Sequence, residues 1–230
     1  MTSQYTLRSH VFACCDGGQV VLLDVKADRY LALKALPPRA FDPRVSGWPR
    51  SAGIDESLIQ TLLGKGLLAV NASQPRSCEP IAVSSASREI FCDQYDDRPR
   101  RPTRTVLAFI AATVFATAAI RLWPFERLVR HVSRRNEVQR SMHKAAAAER
   151  LQAIIHTFVD LRPFLFSWRD ACLFESFVLS EFLARHGIYP TWMFGVQARP
   201  LAAHCWLQLD DIVVNDTIER VSTYMPIMAV

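Results

Sequence analysis

The sequence predicts an α+β fold of two domains joined by a linker. The first seventy residues combine short β-rich segments with one helical pattern. Residues 71–105 are rich in Ser, Pro and Arg, and from residue 106 onward long helical patterns precede alternating strands. A chain of 230 residues, half of them apolar, can bury a core in each of two domains. We therefore place the domains at residues 1–75 and 106–230 and the linker at residues 76–105.

The N-terminal domain is predicted to start with three small antiparallel strands. Their β-rich segments are Tyr5–Ala13, Gln19–Asp24 and Tyr30–Leu33. Asp16-Gly17-Gly18 is a strong hairpin signal between the first two strands, and Asp28-Arg29 turns the chain before the third.

A helix and a returning strand complete this domain. Asp55 is positioned to cap a helix that Gly64 and Gly66 end, and Leu67–Val70 forms the strand. One face of the helix carries Leu58, Ile59, Leu62 and Leu63. Strands and helix together give a small winged-helix-like outline, which a DNA-binding domain would share. Because the helix carries Asp55 and Glu56 and no Arg, it is a poor surface for phosphates, and no nucleic-acid partner is expected.

Residues 106–120 form an apolar segment without a charge, with Arg on both sides. A spanning helix normally needs about twenty apolar residues, so we predict a buried or interfacial helix, which in the interfacial form would make peripheral membrane contact through residues 106–120. Insertion into the membrane is the alternative. The preceding cluster Arg98–Arg104 is predicted to be a solvated charge run of the linker.

The composition indicates where in the cell the protein is located and whether it uses a cofactor. The formal charge is +5 with a pI near 9.0, but Lys and Arg are spread along the chain and identify no partner. No secretory signal is evident in Met1–His10, and six cysteines without C-x-x-C spacing favour a reducing cytosol over a disulfide framework. We expect a cytoplasmic protein with no metal and no cofactor. Without a Gly-rich phosphate loop, it should perform no ATP chemistry by itself.

Cys172 is the first candidate for chemistry. It stands at the start of a helix whose apolar residues lie on nearly every side, and Asp170 or Ser167 is placed to cap that helix. The helix dipole would favour the thiolate there, which is the nucleophilic form. A buried, inert cysteine is the alternative, since free cysteines are commonly buried.

His204 is the second candidate. His204, Trp206 and Gln208 alternate with three apolar residues, so the histidine shares a strand face with Trp206, a candidate substrate wall. A cysteine on a helix followed by a histidine on a strand is the arrangement of papain-like and transglutaminase-like folds, in which an Asp or Asn orients the imidazole. The C-terminal domain is therefore predicted to be a cysteine peptidase of this type.

Which residue would orient His204, as the third member of a catalytic triad, depends on the register of the strands. A strict two-residue turn at Asp210-Asp211 would put Asn215 on the His204 face. A three-residue loop or one bulge would put Asp216 there instead. We choose Asp216, with Asn215 as its competitor and Asp170 behind both.

Several short motifs resemble a known family. Cys172 at a helix start, Gly195-Val-Gln after a strand, His204-Cys-Trp-Leu and Val-Asn-Asp216 are similar to the leader peptidase of lasso-peptide maturation, the transglutaminase-like B protein. The resemblance covers roughly the second half of the chain and implies catalytic roles for Cys172, His204 and Asp216. Cys205 is a departure, because alanine is usual between the histidine and the tryptophan.

The resemblance also implies a role for the N-terminal domain. Members of this family are often fused to a leader-recognition domain, to which residues 5–70 are similar in element order. Strand addition at an exposed edge would then bind the leader, with the strand and the helix forming a groove. The candidate contacts are Arg29, Tyr30, Leu31, Leu33, Leu58 and Leu62, with Trp206 at the scissile bond.

The resemblance implies one expected function, and three alternative functions compete with it. Cys172 would cleave a ribosomally made lasso-peptide precursor, and the core peptide would pass to a separate ATP-dependent cyclase. Acyl transfer to an amine by the same residues is one rival. A peptide-binding chaperone without catalysis and a DNA-binding regulator are the others.

Overall fold

The computed structural model describes residues 5–37, 45–70, 85–90, 103–139, 147–162 and 172–230. They form a mixed α/β structure of strands and helices. In chain order the elements are β1 (Tyr5–Leu7), β2 (Val11–Asp16), β3 (Gln19–Asp24), β4 (Arg29–Lys34), β5 (Val45–Ser46), α1 (Glu56–Gly64), β6 (Leu68–Val70), β7 (Arg88–Glu89), α2 (Thr103–Leu122), α3 (Phe125–Gln139), α4 (Ala147–Leu161), α5 (Cys172–Ala184), β8 (Thr191–Ala198), β9 (Leu201–Leu209), β10 (Ile212–Val213), α6 (Ile218–Val221) and β11 (Met225–Ala229).

The chain divides into two compact units. One comprises Met1–Ala82, Phe194–Ala203 and Thr223–Met228, and the other comprises Val83–Met193, His204–Ser222 and Ala229–Val230. The candidate residues Cys172, His204 and Asp216 all belong to the second unit. The boundaries drawn from the sequence at residues 75 and 106 stay a prediction.

The antiparallel sheet β2-β3-β4 confirms the expected hairpins. Asp16 pairs with Gln19 across a two-residue turn in which Gly17 and Gly18 have φ of 52° and 74°. Such positive φ angles are those of a type I′ turn, which glycine adopts without strain. The segment Tyr5–Ala13 differs from expectation, because it divides into β1 and β2 and only β2 joins this sheet.

A second small sheet, β5-β1-β6, packs with α1 around an apolar core. The expected returning strand is present as β6, which pairs antiparallel with β1. Asp55 caps α1 as predicted, because its Oδ1 accepts the N–H of Leu58 at 2.8 Å. The core includes Ile59 and Leu62 and collects residues from both small sheets. The winged-helix-like arrangement of the sequence analysis stays a prediction.

Helix α2 extends beyond the charge-free segment at both ends. Its inner face, which includes Phe109, packs edge-on against Phe158 of α4 and Phe182 of α5 at ring-centroid distances of 5.6 and 5.9 Å. Its outer face leaves Leu107 60 % and Val114 64 % exposed. Among the described helices, α2 is the one long and apolar enough to cross a membrane by length and composition. Peripheral membrane contact through residues 106–120 stays a prediction.

The largest of the described sheets has the order β11-β8-β9-β10-β7. Strand β7 lies within the segment expected to be a linker, and it pairs parallel with β10 at the edge of this sheet. Arg88 anchors it through hydrogen bonds of 2.6 and 3.0 Å to the carboxylate of Asp211. Residues 88–89 are therefore part of a sheet, and the extent of the linker stays a prediction. The basic cluster before residue 103 lies outside the described residues.

Candidate active site

Cys172 is the first residue of α5, and its side chain is partly exposed. The helix behind it is buried from Ser176 to Leu183, and Phe177 stacks on Trp192 of β8 at 5.5 Å between ring centroids. The buried part begins one turn after Cys172, and Ser176 Oγ donates to the backbone carbonyl of Cys172 at 2.6 Å, which ties the first turn to it. The proposed caps Asp170 and Ser167 lie outside the described residues.

His204 lies in β9 and is buried, with 6 % of its side chain exposed. Its Nε2 lies 2.5 Å from Oδ2 of Asp216, and it shares a further hydrogen bond with Cys172. The ring of Trp206 stacks beside the imidazole at 6.1 Å, on the shared strand face that alternation predicts. The described chain thus brings Cys172, His204 and Asp216 into one hydrogen-bonded row.

The route by which Asp216 reaches His204 differs from the expected one. Ile212 pairs with Leu209 across a strict two-residue turn, so the three-residue loop or bulge is wrong. Strand β10 ends at Val213, and Oδ1 of Asn215 accepts the N–H of Leu207 at 2.8 Å. This side-chain bond replaces the next bond of the ladder and turns the backbone away. Asp216, the next residue, therefore no longer follows the alternation of the strand, and its carboxylate contacts His204.

The Asp216 carboxylate is held on both oxygens. Oδ1 accepts the backbone N–H of Thr217 at 2.8 Å, while Oδ2 faces His204 and lies 3.9 Å from Nε of Arg220. Burial would raise the pKa of Asp216, but the hydrogen bonds from His204 and Thr217 keep that pKa below its ordinary value. Asp216 therefore stays ionised beside the imidazole.

The pKa values of the cysteine and the histidine move in opposite directions. A hydrogen bond from the Cys205 side chain and one from His204 outweigh burial and lower the pKa of Cys172 to about 4. Burial opposes the charged form of His204, but hydrogen bonds to Asp216 and Cys172 raise its pKa to about 9. At neutral pH the pair is therefore a thiolate and an imidazolium, the form in which a cysteine is a nucleophile.

Two groups of neighbours were not predicted from the sequence. Ser176, one turn along α5, contacts both Trp192 and Cys205. Glu175 forms an ion pair with Arg162 at 3.1 Å, and burial together with the nearby negative charges of Asp216 and Cys172 raises the pKa of Glu175. Each of these contacts joins separate elements, so the periodicity of a single element gives no signal for it.

Two of the residues predicted to contact substrate lie in the core. Leu62 and Trp206 are each 2 % exposed. Leu62 packs beneath α1 in the N-terminal core, and Trp206 supports the imidazole of His204 rather than forming a wall for substrate. This burial removes both from direct contact with a docked peptide.

The other predicted contacts lie at or near a surface. Arg29 is exposed and 3.5 Å from Asp24, and Tyr30, Leu31 and Leu33 are partly exposed on β4. Leu58 is partly exposed on α1. Within the described residues, no group of three or more His, Cys, Asp or Glu side chains could hold a metal ion.

Comparison with known proteins bears on the C-terminal half of the chain. The family model described as Transglutaminase-like superfamily matches residues 112–229, just over half of the sequence. The matched range contains Cys172, His204 and Asp216. No curated protein and no solved structure gives a significant match.

Proposed function

Because the chain belongs to the transglutaminase-like superfamily, whose members are cysteine peptidases and acyltransferases, we propose that it is a cysteine peptidase that removes the leader of a lasso-peptide precursor. The observation that carries the peptidase chemistry is the row Cys172, His204 and Asp216, in which Nε2 of the histidine lies on the aspartate and the imidazole shares a hydrogen bond with the sulfur. The similarity of the motifs around these residues to the lasso leader peptidase supports the choice of substrate.

The geometry supports a two-step hydrolysis. The Cys172 thiolate attacks the scissile carbonyl carbon, and the imidazolium of His204 gives its proton to the leaving amine of the core peptide. The leader then remains as a thioester on Cys172. Neutral His204 removes a proton from a water molecule that attacks the thioester, which releases the leader as a carboxylic acid and restores the ion pair. Asp216 orients His204 in both steps.

Backbone donors at the start of α5 suit the oxyanion of this mechanism. The first four N–H groups of a helix have no partner in the helical ladder, and Cys172 is the first described residue of α5. Its N–H is therefore the donor we assign to the tetrahedral intermediate. This assignment needs no metal ion.

The edge strand β4 supports leader binding by strand addition. It pairs with β3 and lies at the end of the sheet β2-β3-β4. The N–H of Ala35 donates to the carbonyl of Gly18 at 3.1 Å. In an antiparallel pair every second residue bonds to the partner strand, so this bond shows which residues of β4 face β3. Leu31 and Leu33 consequently direct their N–H groups to β3, while Ala32 directs its N–H and carbonyl to the outer edge.

Replacing Ala32 by proline tests this binding mode. The substitution removes an outward N–H but no bond of the β3–β4 ladder, and we expect the Kd of the leader to rise about tenfold or more. The measurement is fluorescence anisotropy with the labelled leader peptide of a candidate lasso-peptide precursor. Ala32→Val is the matched control, because it keeps the N–H. Equal binding by the proline and valine variants would exclude strand addition at β4.

The proposed function as a whole is tested by the products. The full precursor is incubated with the chain, alone and with its ATP-dependent cyclase, and the masses are compared with and without an added primary amine. Hydrolysis gives the free leader acid and the core peptide under both conditions. A leader carrying the amine would identify an acyltransferase, and an intact precursor bound to the chain would identify a chaperone.

A further inference from the structure

The outer face of α2 is an apolar strip on the surface of the second unit. It consists of the exposed side chains at the i, i+3, i+4, i+7 and i+11 positions of one helix face, which are Leu107, Ile110, Ala111, Val114 and Ala118. Leu122, which follows the strip at the end of the helix, is 77 % exposed. None of these side chains has a polar atom. The strip therefore presents to water a continuous row of carbon atoms that needs a cover.

A positively charged cavity follows the apolar strip along α3. It has a volume of about 680 Å³, and its lining includes Trp123 together with Arg127, Arg130, Arg134 and Arg135. The first three of these arginines are exposed. They stand at i, i+3 and i+7, so they share one face of the helix.

Two of the exposed arginines keep an uncompensated charge. Arg130 is paired with Glu126 at 2.6 Å. Within the described residues no carboxylate pairs with Arg127 or Arg134. Since like charges on one helix face raise the local potential, the cavity attracts anions.

Trp123 joins the apolar strip to the cavity. Its ring packs against Phe115 of α2 at 5.6 Å between ring centroids, and the guanidinium of Arg127 lies over it at 4.3 Å from the centroid. An apolar helix face with a tryptophan and arginines at its end is the arrangement of a helix that lies in the surface of a bilayer. The apolar side chains enter the acyl layer there, while the tryptophan and the arginines stay at the headgroups.

We propose that the apolar strip and the cavity of α3 together bind the surface of an anionic lipid bilayer, with Arg127 and Arg134 on the phosphate groups of the lipids. Helix α2 lies along this surface and does not cross it, because its inner face packs against Phe158 and Phe182 at 5.6 and 5.9 Å between ring centroids. Crossing would break that packing. The membrane surface is a partner beyond the proposed peptidase reaction and does not depend on it.

Two other occupants fit this surface less well. A second copy of the chain would bring the exposed Arg104 and Arg121, at the two ends of α2, against the same arginines of its partner. Like charges that face each other oppose such a pairing. A protein partner would form about one hydrogen bond per 100–200 Å² of interface, and the side chains of the apolar strip can form none. The acyl layer of a bilayer needs no hydrogen bond.

Binding to lipid vesicles tests this assignment. The chain is mixed with vesicles of phosphatidylcholine, with or without one third phosphatidylglycerol, and the bound fraction is measured by flotation in a density gradient. We expect an apparent Kd about tenfold or more lower for the anionic vesicles, because each arginine near an anionic surface contributes about fivefold in affinity. Inorganic phosphate at matched ionic strength should leave the bound fraction unchanged, since it offers no acyl layer to the strip.

The charge of the cavity is tested with a matched pair of double variants. Arg127→Gln with Arg134→Gln should raise the apparent Kd for anionic vesicles about tenfold or more. Lys26→Gln with Lys65→Gln is the control, because it removes the same net charge from exposed lysines of the first unit. Its Kd should stay within about twofold of that of the unchanged chain.

The apolar strip is tested in the same way. Leu107→Gln with Val114→Gln removes two exposed apolar side chains and should also raise the Kd for anionic vesicles about tenfold or more. The control is Leu201→Gln with Val70→Gln, a leucine and a valine of the first unit that are 51 % and 59 % exposed. The control should bind like the unchanged chain. All these side chains are exposed, and circular dichroism confirms that each variant is folded.

Weaker binding of both test variants, with both controls unchanged, would support the assignment. An unchanged chain that does not bind anionic vesicles would overturn it, and a dimer that only Leu107→Gln with Val114→Gln dissolves would then assign the strip to a second copy. Weaker binding of the arginine variant alone, or displacement by inorganic phosphate, would also overturn it, because the acyl layer would then play no part.

The result does not depend on the proposed function, because no precursor is present. Cys172→Ala should bind anionic vesicles as the unchanged chain does, since Cys172 belongs to neither the apolar strip nor the cavity. If the vesicles are not bound but the precursor is cut, only the membrane surface fails as a partner. If the vesicles are bound as expected and the precursor stays intact, the proposed function fails and the membrane surface stands.

Discussion

Cys172→Ala should abolish leader release while leaving leader binding unchanged. The substitution removes the atom that forms the thioester, and loss of a covalent nucleophile from a working triad lowers kcat by about 10⁴-fold or more. Strand β4 is untouched, so the Kd of the labelled leader should stay within about twofold. Cleavage is measured by mass spectrometry of the precursor, and binding by anisotropy. Cleavage at the rate of the unchanged chain would reject Cys172 as the nucleophile.

A second cysteine provides the control for this result. Cys15 is a partly buried cysteine of β2, outside the row around His204. Cys15→Ala should retain leader release, because its thiol takes no part in the proposed reaction. Loss of cleavage in both variants, with both folded, would point to a general effect of cysteine removal rather than to chemistry at Cys172.

Asp216→Asn should lower kcat by about 10³-fold or more. The amide keeps the shape of the carboxylate but loses the charge that stabilises the imidazolium, and it can hold the ring in the wrong tautomer. The hydrogen bond and charge of Asp216 raise the pKa of His204, so the loss of the imidazolium should also occur at lower pH in the variant. A kcat–pH profile measured with the precursor records both effects.

Asn215→Ala is the matched control for Asp216. Its side chain accepts the N–H of Leu207 at 2.8 Å and shapes the turn that delivers Asp216. Removing this acceptor should lower the free energy of unfolding by about 1–2 kcal/mol, measured by urea denaturation, and lower kcat by less than about tenfold. A folded Asn215 variant that loses kcat about 10³-fold while Asp216→Asn keeps the kcat of the unchanged chain would identify Asn215 rather than Asp216 as the third member.

Local signals in the sequence predicted local structure well. The hairpin at Gly17-Gly18 needs positive φ angles that glycine supplies, and the cap at Asp55 needs a carboxylate three residues before an N–H. Each depends on residues that are neighbours in the chain. The pairing of β2, β3 and β4 follows from the same turns, since short turns fix register.

The surroundings of the candidate site could be predicted only in part. The alternation of polar and apolar residues along β9 correctly placed His204 beside Trp206. It could not show that the Asn215 side chain would bond to Leu207, end the pairing of β10 and let Asp216 reach His204. The contact between Ser176 and Cys205 joins residues 29 positions apart on different elements. Such contacts depend on how α5 packs against β9, and no single-element pattern contains that information.

The proposed reaction requires a thiolate–imidazolium pair, and the pH dependence of Cys172 alkylation in the unchanged chain measures whether that pair exists. With the pKa of Cys172 at about 4 and that of His204 at about 9, the rate should be nearly constant from about pH 5 to pH 8. Cys14 is an internal reference, because burial raises its pKa to about 12. A Cys172 rate that instead rises about tenfold per pH unit up to about pH 8.5, as for an ordinary thiol, would show that Cys172 and His204 do not form this ion pair.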